Sequence, residues 1–299
     1  MEDQPQATGF DPARLRTLVI GCLAALAGLM AGLDIGVISG ALDLVAKAFH
    51  ASTIAQEWIV SAMMGGAAVG SLCGGWMSHQ IGRKHALLVG ALVFIGGSLA
   101  CALAWSIPSM IVGRVVMGLA IGVAAFTAPL YLSEIASEQA RGAMISTYQL
   151  MITAGIFIAF MTNTMFSYSG NWRGMFAVAA VPGVLFLIGV LFLPYSPRWL
   201  MMRGRRNEAL QVLEDLRDDR SVAMREIQNI SRQLQMKQRG WSLLRHNANF
   251  RRSIFLGIAL QAMQQLAGVN VVMYYAPRIF ALAGYVGPAQ LWCTAWWVW

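Results

Sequence analysis

Six stretches of about twenty mainly apolar residues follow one another at 17–41, 58–77, 86–104, 110–132, 144–166 and 175–193, and a seventh lies at 254–275. A helix rising about 1.5 Å per residue needs roughly 20 such residues to cross the hydrocarbon core of a bilayer. In lipid every backbone N–H and C=O must find a partner within its own segment, so the spans are read as helices. Apolar residues make up 57% of the chain and charged ones only 12%, far from the balance of a soluble domain. The chain is therefore expected to be an all-α, multi-pass membrane protein whose first partner is the lipid bilayer.

The net charge of +8 suggests nucleic acid at first sight, but 13 of the 22 Lys and Arg lie between Arg198 and Arg252. Basic residues concentrated in the connections of a membrane protein report topology, because positive charge is retained on the cytoplasmic side. With the N-terminus inside, 18 of the 22 fall on inner segments, and the outer side holds Lys47, Arg173 and Arg278. This arrangement fixes the expected orientation and excludes a nucleic-acid partner. Three segments follow: a six-helix bundle at 1–193, a cytoplasmic helical linker at 194–252, and the seventh helix with the chain end at 253–299. The linker pattern over 207–238 is Pro-free and amphipathic, which fits short helices under the bundle. The first apolar stretch is too long for the core of a signal peptide and stays attached as a span. Cys22, Cys73, Cys101 and Cys293 sit in apolar stretches without metal-ligand spacing, so neither a disulfide framework nor a zinc site is expected.

Polar side chains at lipid depth carry the functional signal. Asp34 lies among glycines and apolar residues in the first span, and Arg114 is the one basic residue well inside a span. Charge at that depth is costly and marks ion or substrate pathways. An aspartate that releases its proton when an arginine approaches, and takes one up when it withdraws, is a two-state coupling device; a permanent pair gluing helices together is the structural alternative. Gln149 in the fifth span, and Gln261, Gln264, Gln265 and Asn270 in the seventh, add neutral donors and acceptors. Gln261, Gln264 and Gln265 follow helical spacing and share a face. With Tyr274 and Tyr275 nearby, these groups suit a polyhydroxylated neutral ligand, although hydrogen bonding between helices alone is an equal reading. Gly28, Gly32, Gly36 and Gly40 recur every four residues, and Gly65, Gly66, Gly70, Gly74 and Gly75 crowd the second span, both patterns of close helix packing. No metalloprotease, P-loop or dinucleotide motif occurs, and the four histidines lack ligand spacing, so neither an enzyme nor a bound cofactor or metal is expected.

Several stretches carry a resemblance: GLDIGVISGAL from Gly32, QEWIVSAMMGGAAVG from Gln56, GRK from Gly82, YLSEIASEQARG from Tyr131, PYSPRWL from Pro194 and QAMQQLAGVNVVMYYAPRIF from Gln261. In these the chain resembles the sugar porter branch of the major facilitator superfamily, nearest the bacterial arabinose-proton and galactose-proton symporters. The resemblance implies the major facilitator fold, with an N-terminal six-helix bundle, a cytoplasmic helical linker and the first helix of a second, incomplete bundle. It implies alternating access in a bacterial inner membrane, with a monosaccharide and H+ as partners and no obligate protein partner. Asp34 takes the role of proton acceptor and Arg114 that of its partner. Gln149, Gln264, Gln265, Asn270 and Tyr274 match sugar-binding positions, while Arg83, Glu134, Arg141 and Arg198 match a cytoplasmic charge cluster that acts as a gate. Two positions depart from the pattern: His79 and Gln80 replace an acid and a base, and Ala31 replaces a phenylalanine.

The expected function is proton-coupled import of an arabinose- or galactose-type sugar. A passive uniporter, which needs no titrating acid, and a non-transporting fragment or sensor are the alternatives. The terminal AWWVW is unusual for such a chain, and shifting its codons by one base gives an apolar Val-Gly run, so a reading-frame shift near Thr294 and Ala295 is expected, with transport impaired in the shortened chain.

Overall fold

The computed structural model describes residues 12–137, 139–235, 244–245 and 247–285. The expectations about the chain end beyond residue 285, including Cys293 and the terminal tryptophans, lie outside them.

Six long helices form the bundle: α1 (Pro12–Phe49), α2 (Thr53–Gln80), α3 (Arg83–Ala102), α4 (Ile107–Ile135), α5 (Arg141–Ser167) and α6 (Trp172–Phe192). Their starts are set by local chemistry. Ser52 accepts from Ala55 N at 3.3 Å, Asn171 accepts from Gly174 N at 3.0 Å, and Ser106 and Ser109 form a reciprocal capping box before α4. Each cap satisfies donors that the first helical turn leaves free. With the apolar segment Ala248–Leu282, seven stretches among the described residues are long and apolar enough to cross a membrane.

Backbone contact dictated by glycine holds the bundle together. A Cβ on Gly32 of α1 would stand 2.0 Å from the carbonyl oxygen of Ile152 in α5, and one on Gly28 would stand 2.4 Å from that of Tyr148. The same occurs between α2 and α4, where a Cβ on Gly70 would meet Leu119 O at 2.2 Å and one on Gly118 would meet Met63 O at 2.1 Å. Between lipid-immersed helices the hydrophobic effect offers no drive, so close backbone approach supplies the dispersion contact. Buried hydrogen bonds also join helices, Asn163 Nδ2 to Gly36 O at 2.7 Å between α5 and α1 and Ser98 Oγ to Phe176 O at 2.6 Å between α3 and α6. The main pairings are α1 with α5, α2 with α4, α3 with α4, α3 with α6, and α1 with α6. Exchanging the first three helices with the second three leaves this pattern unchanged, as expected of a bundle built from two three-helix repeats.

The outer surface is apolar. Leu72, Leu103, Leu150 and Phe192 are all exposed, and so are Cys22 and Cys73, whereas Cys101 is buried. A water-soluble protein hides such side chains; here they meet acyl chains.

Below one end of the bundle sit α7 (Pro197–Met202), α8 (Arg206–Arg217) and α9 (Arg220–Gln235). They share a small apolar core of Trp199, Leu200, Ala209, Leu213, Ala223 and Ile227. Asp219 immediately precedes α9, accepting from Ser221 N at 2.7 Å, and bonding to Ser221 side chain and backbone holds its carboxyl below the usual carboxylate range.

The last apolar segment departs from the single helix expected over 254–275. It is broken into α10 (Ala248–Leu266) and α11 (Val269–Leu282), with Gly268 at φ +72° between them. That backbone geometry is cheap only for glycine, which is why the helix stops there without a proline. No residue of α10 is buried, whereas α11 packs on α1 and buries Tyr274, Ala276 and Pro277.

Candidate functional site: a sealed ion pair between two charged ends

Asp34 and Arg114 meet inside the bundle. Both side chains are 0% exposed, and Arg114 Nη1 donates to Asp34 Oδ1. Arg114 Nε donates to the carbonyl of Ile59 at 3.2 Å, so three helices contribute to the site. Asp34 Oδ2 and Arg114 Nη2 have no hydrogen-bond partner among the described residues. The carboxylate thus keeps one oxygen unspent while the other is charge-paired, which leaves a place for a proton without dismantling the helix contacts. The buried Tyr274 of α11 lies within electrostatic reach of both groups. Its segment is wedged against α1 and α5, where Met273 packs with Ile156 and Phe160.

The remaining amides are only partly gathered. Asn270 Nδ2 donates to Gln265 Oε1 at 3.1 Å, closing a bridge across the break at Gly268. Gln149 on α5 and Gln261 and Gln264 on α10 are exposed, and no hydrogen bond joins any of them to Asn270 or Tyr274. The polar face of α10 is exposed, with Gln265 bonded to Asn270.

At the end carrying α7, α8 and α9, Glu134 is the hub. It accepts from Arg83 Nη2 at 2.7 Å and from Ser196 Oγ at 2.6 Å, and Arg83 Nη1 also donates to Ser78 O at 3.1 Å. This ties the start of α3, the end of α4 and the cap of α7 together, with Arg83 and Glu134 side chains 7% and 5% exposed. Arg141 and Arg198 do not join the hub; they line a cleft of about 870 Å³ beside it. The turn joining α2 and α3 is gripped by its backbone. Trp199 Nε1 donates to His79 O at 3.2 Å, Arg203 donates to Gln80 O, and the Trp199 ring sits on Gly82, where a Cβ would come within 2.9 Å. Because the grip is on carbonyls, it does not depend on the side chains at His79 and Gln80, the two positions that depart from the family pattern.

At the opposite end Arg278 of α11 binds Asp43 of α1 at 2.6 Å and also donates to Gln56 of α2. Sequence reasoning missed this cluster, since the three residues are far apart in the chain and each alone looks like an ordinary surface group. The signal available was the helical register that puts Arg278 one turn beyond Tyr274.

Seven membrane-length apolar stretches, a sealed charge pair and ionic clusters at both ends of the bundle define a multi-pass membrane protein. The sequence model described as "sugar (and other) transporter" matches residues 20–298, and the chain belongs to that family, the sugar porter branch of the major facilitator superfamily. It is 54% identical over 279 residues to the galactose-proton symporter of Escherichia coli K12 and 53% identical over 277 residues to that organism's arabinose-proton symporter, covering 93% of this chain in each case. The chain spans 60% and 59% of the length of those two relatives. Among solved structures it is similar to the proton:xylose symporter XylE bound to 6-bromo-6-deoxy-D-glucose, with 26% identity and a TM-score of 0.82 across 94% of this chain and 66% of that one. The partially occluded inward-open form of XylE from E. coli gives 26% identity and a TM-score of 0.79, over 93% of this chain and 69% of that one.

Proposed function

We propose that this chain forms the proton-coupling half of a monosaccharide importer of the arabinose and galactose class, working by alternating access in a bacterial inner membrane. The observation that carries the reading is the fully enclosed Asp34–Arg114 pair with one carboxylate oxygen unspent. A carboxylate stripped of water takes a proton readily once its cation leaves and gives it up when the cation returns. Sugar binding that draws α11 and Tyr274 against α1 acts on the same spot, which links ligand and proton. Gln149, Gln264, Gln265, Asn270 and Tyr274 are assigned to sugar hydroxyls, and the bridge between Gln265 and Asn270 sets the angle of the break. Arg83, Glu134, Arg141 and Arg198 form the cytoplasmic gate, and Arg278 with Asp43 and Gln56 holds the outer end of α11 to α1 and α2. The basic end faces the cytoplasm, as does the N-terminus.

Replacing Asp34 with Asn tests coupling in cells producing the protein. Uptake of labelled galactose or arabinose against a gradient is expected to be lost, while exchange of labelled for unlabelled sugar across the membrane persists. Undiminished accumulation by the variant rejects the proton role and leaves a passive carrier.

A further inference from the structure

The cleft beside the gate is strongly cationic. Arg141, Arg198, Arg217, Arg225 and Arg232 line it, against the acids Glu134 and Glu226. Glu134 is committed to Arg83 and Ser196, and Glu226 to Arg217 at 3.0 Å. That leaves Arg141, Arg198, Arg225 and Arg232 outside any ion pair among the described residues. Arg217 adds a second observation. Its side chain is only 8% exposed, its Nε and one terminal nitrogen are spent on Glu226 and on Ile135 O, and its Nη1 has no acceptor among the described residues.

The placement is structural, not accidental to a floppy surface. Arg225, Asn229 and Arg232 fall at i, i+4 and i+7 on α9 and so share the face that lines the cleft. The other face of α9 is anchored, with Ala223 and Ile227 fully buried against α8. Arg141, Arg198 and Arg232 share the concavity with Arg225, which donates to Ser221 O and Oγ at 3.3 Å and stands within electrostatic reach of Asp219; a multivalent oxyanion between the four relieves their remaining repulsion. Arginine forks match phosphate oxygens two at a time, and a cleft of about 870 Å³ is the size of small-molecule sites rather than of a single ion.

We propose that this cleft binds a phosphate-bearing anion, which bridges the arginines of α9 to Arg141 and Arg198. Occupancy ties α9 to the turn between α4 and α5 and so holds the gate closed; this consequence rests on the gate reading above, whereas the binding does not. The phosphate comes either from a soluble phosphorylated metabolite or from an anionic lipid headgroup.

The test titrates inorganic pyrophosphate into the detergent-purified full chain, with chloride holding ionic strength constant. Saturable binding at one site is expected, weakened at least tenfold by the double substitution Arg225→Gln/Arg232→Gln and less by Arg225→Lys/Arg232→Lys. All four changes fall on exposed positions, and circular dichroism checks that the helices remain. A second arm compares retention of phosphatidylglycerol by native mass spectrometry in the wild type and the Gln variant. Loss of lipid retention with no pyrophosphate binding assigns the phosphate to a headgroup; the reverse assigns it to a soluble ligand. The proposal is overturned if neither probe binds, or if both bind the Gln variant as tightly as the wild type. A binding failure with gate function intact leaves the transport reading standing, so the two are separable.

Discussion

Asp34 and Arg114 illustrate what a buried pair does and does not stabilise. Removing two charges from water costs several kcal/mol per ion, and their attraction recovers that only with good geometry and satisfied donors. Here each keeps one terminal atom unsatisfied, so the pair is poorly explained as structural glue. Arg114→Met alone leaves a sealed carboxylate without company and is expected to destabilise the protein by about 3–5 kcal/mol, seen as a lower unfolding temperature in detergent. The double variant Asp34→Leu/Arg114→Met removes both charges and is expected to recover most of that loss while remaining unable to accumulate sugar. If the double variant is as unstable as the single one, the pair is structural and the coupling role loses its main support.

Elements obey a different rule, that of backbone proximity. Gly32 in α1 faces a carbonyl of α5 at a separation no side chain fits, whereas Gly65 in α2 and Gly96 in α3 have nothing within 4 Å of an added Cβ. Gly32→Ala must push α1 and α5 apart at the helix that carries Asp34. It is therefore expected to abolish accumulation and lower the yield of folded protein. Gly65→Ala and Gly96→Ala are expected to be neutral in both assays, and the fluorescence of a tagged, membrane-inserted protein measures the yield. A neutral Gly32→Ala would show that the α1–α5 seam relaxes freely. The break at Gly268 belongs to this scale too, because φ +72° there separates a half-helix docked on α1 from one that is not.

At the scale of the whole molecule the charge asymmetry becomes a statement about sidedness. Ser169 lies in the turn between α5 and α6 at one end, and Arg206 begins α8 at the other. In a chain otherwise lacking cysteine, Ser169→Cys is expected to react with a membrane-impermeant maleimide in intact cells, and Arg206→Cys only after permeabilisation. The opposite pattern inverts the topology and moves the Arg83–Glu134 hub to the outer face. The same view shows why the ends differ in strength. The hub is nearly dry, while the Arg278–Asp43 pair is 36% and 46% exposed and, like most solvent-facing pairs, contributes about 0–1 kcal/mol.

The sequence alone determined the spans, the class and the charge pair, because those follow from local quantities: the length of apolar runs, the cost of charge in lipid and the spacing of small residues. It also placed Gln265, Asn270 and Tyr274 in one segment. Only the tertiary structure decided that this segment breaks at Gly268, that Gln149 and Gln264 stay exposed, and that Arg141 and Arg198 line a cleft without pairing with Glu134. Those outcomes depend on which helix lies opposite which. A polar face spaced along a helix records that it needs a partner; the partner is chosen only when the helices pack.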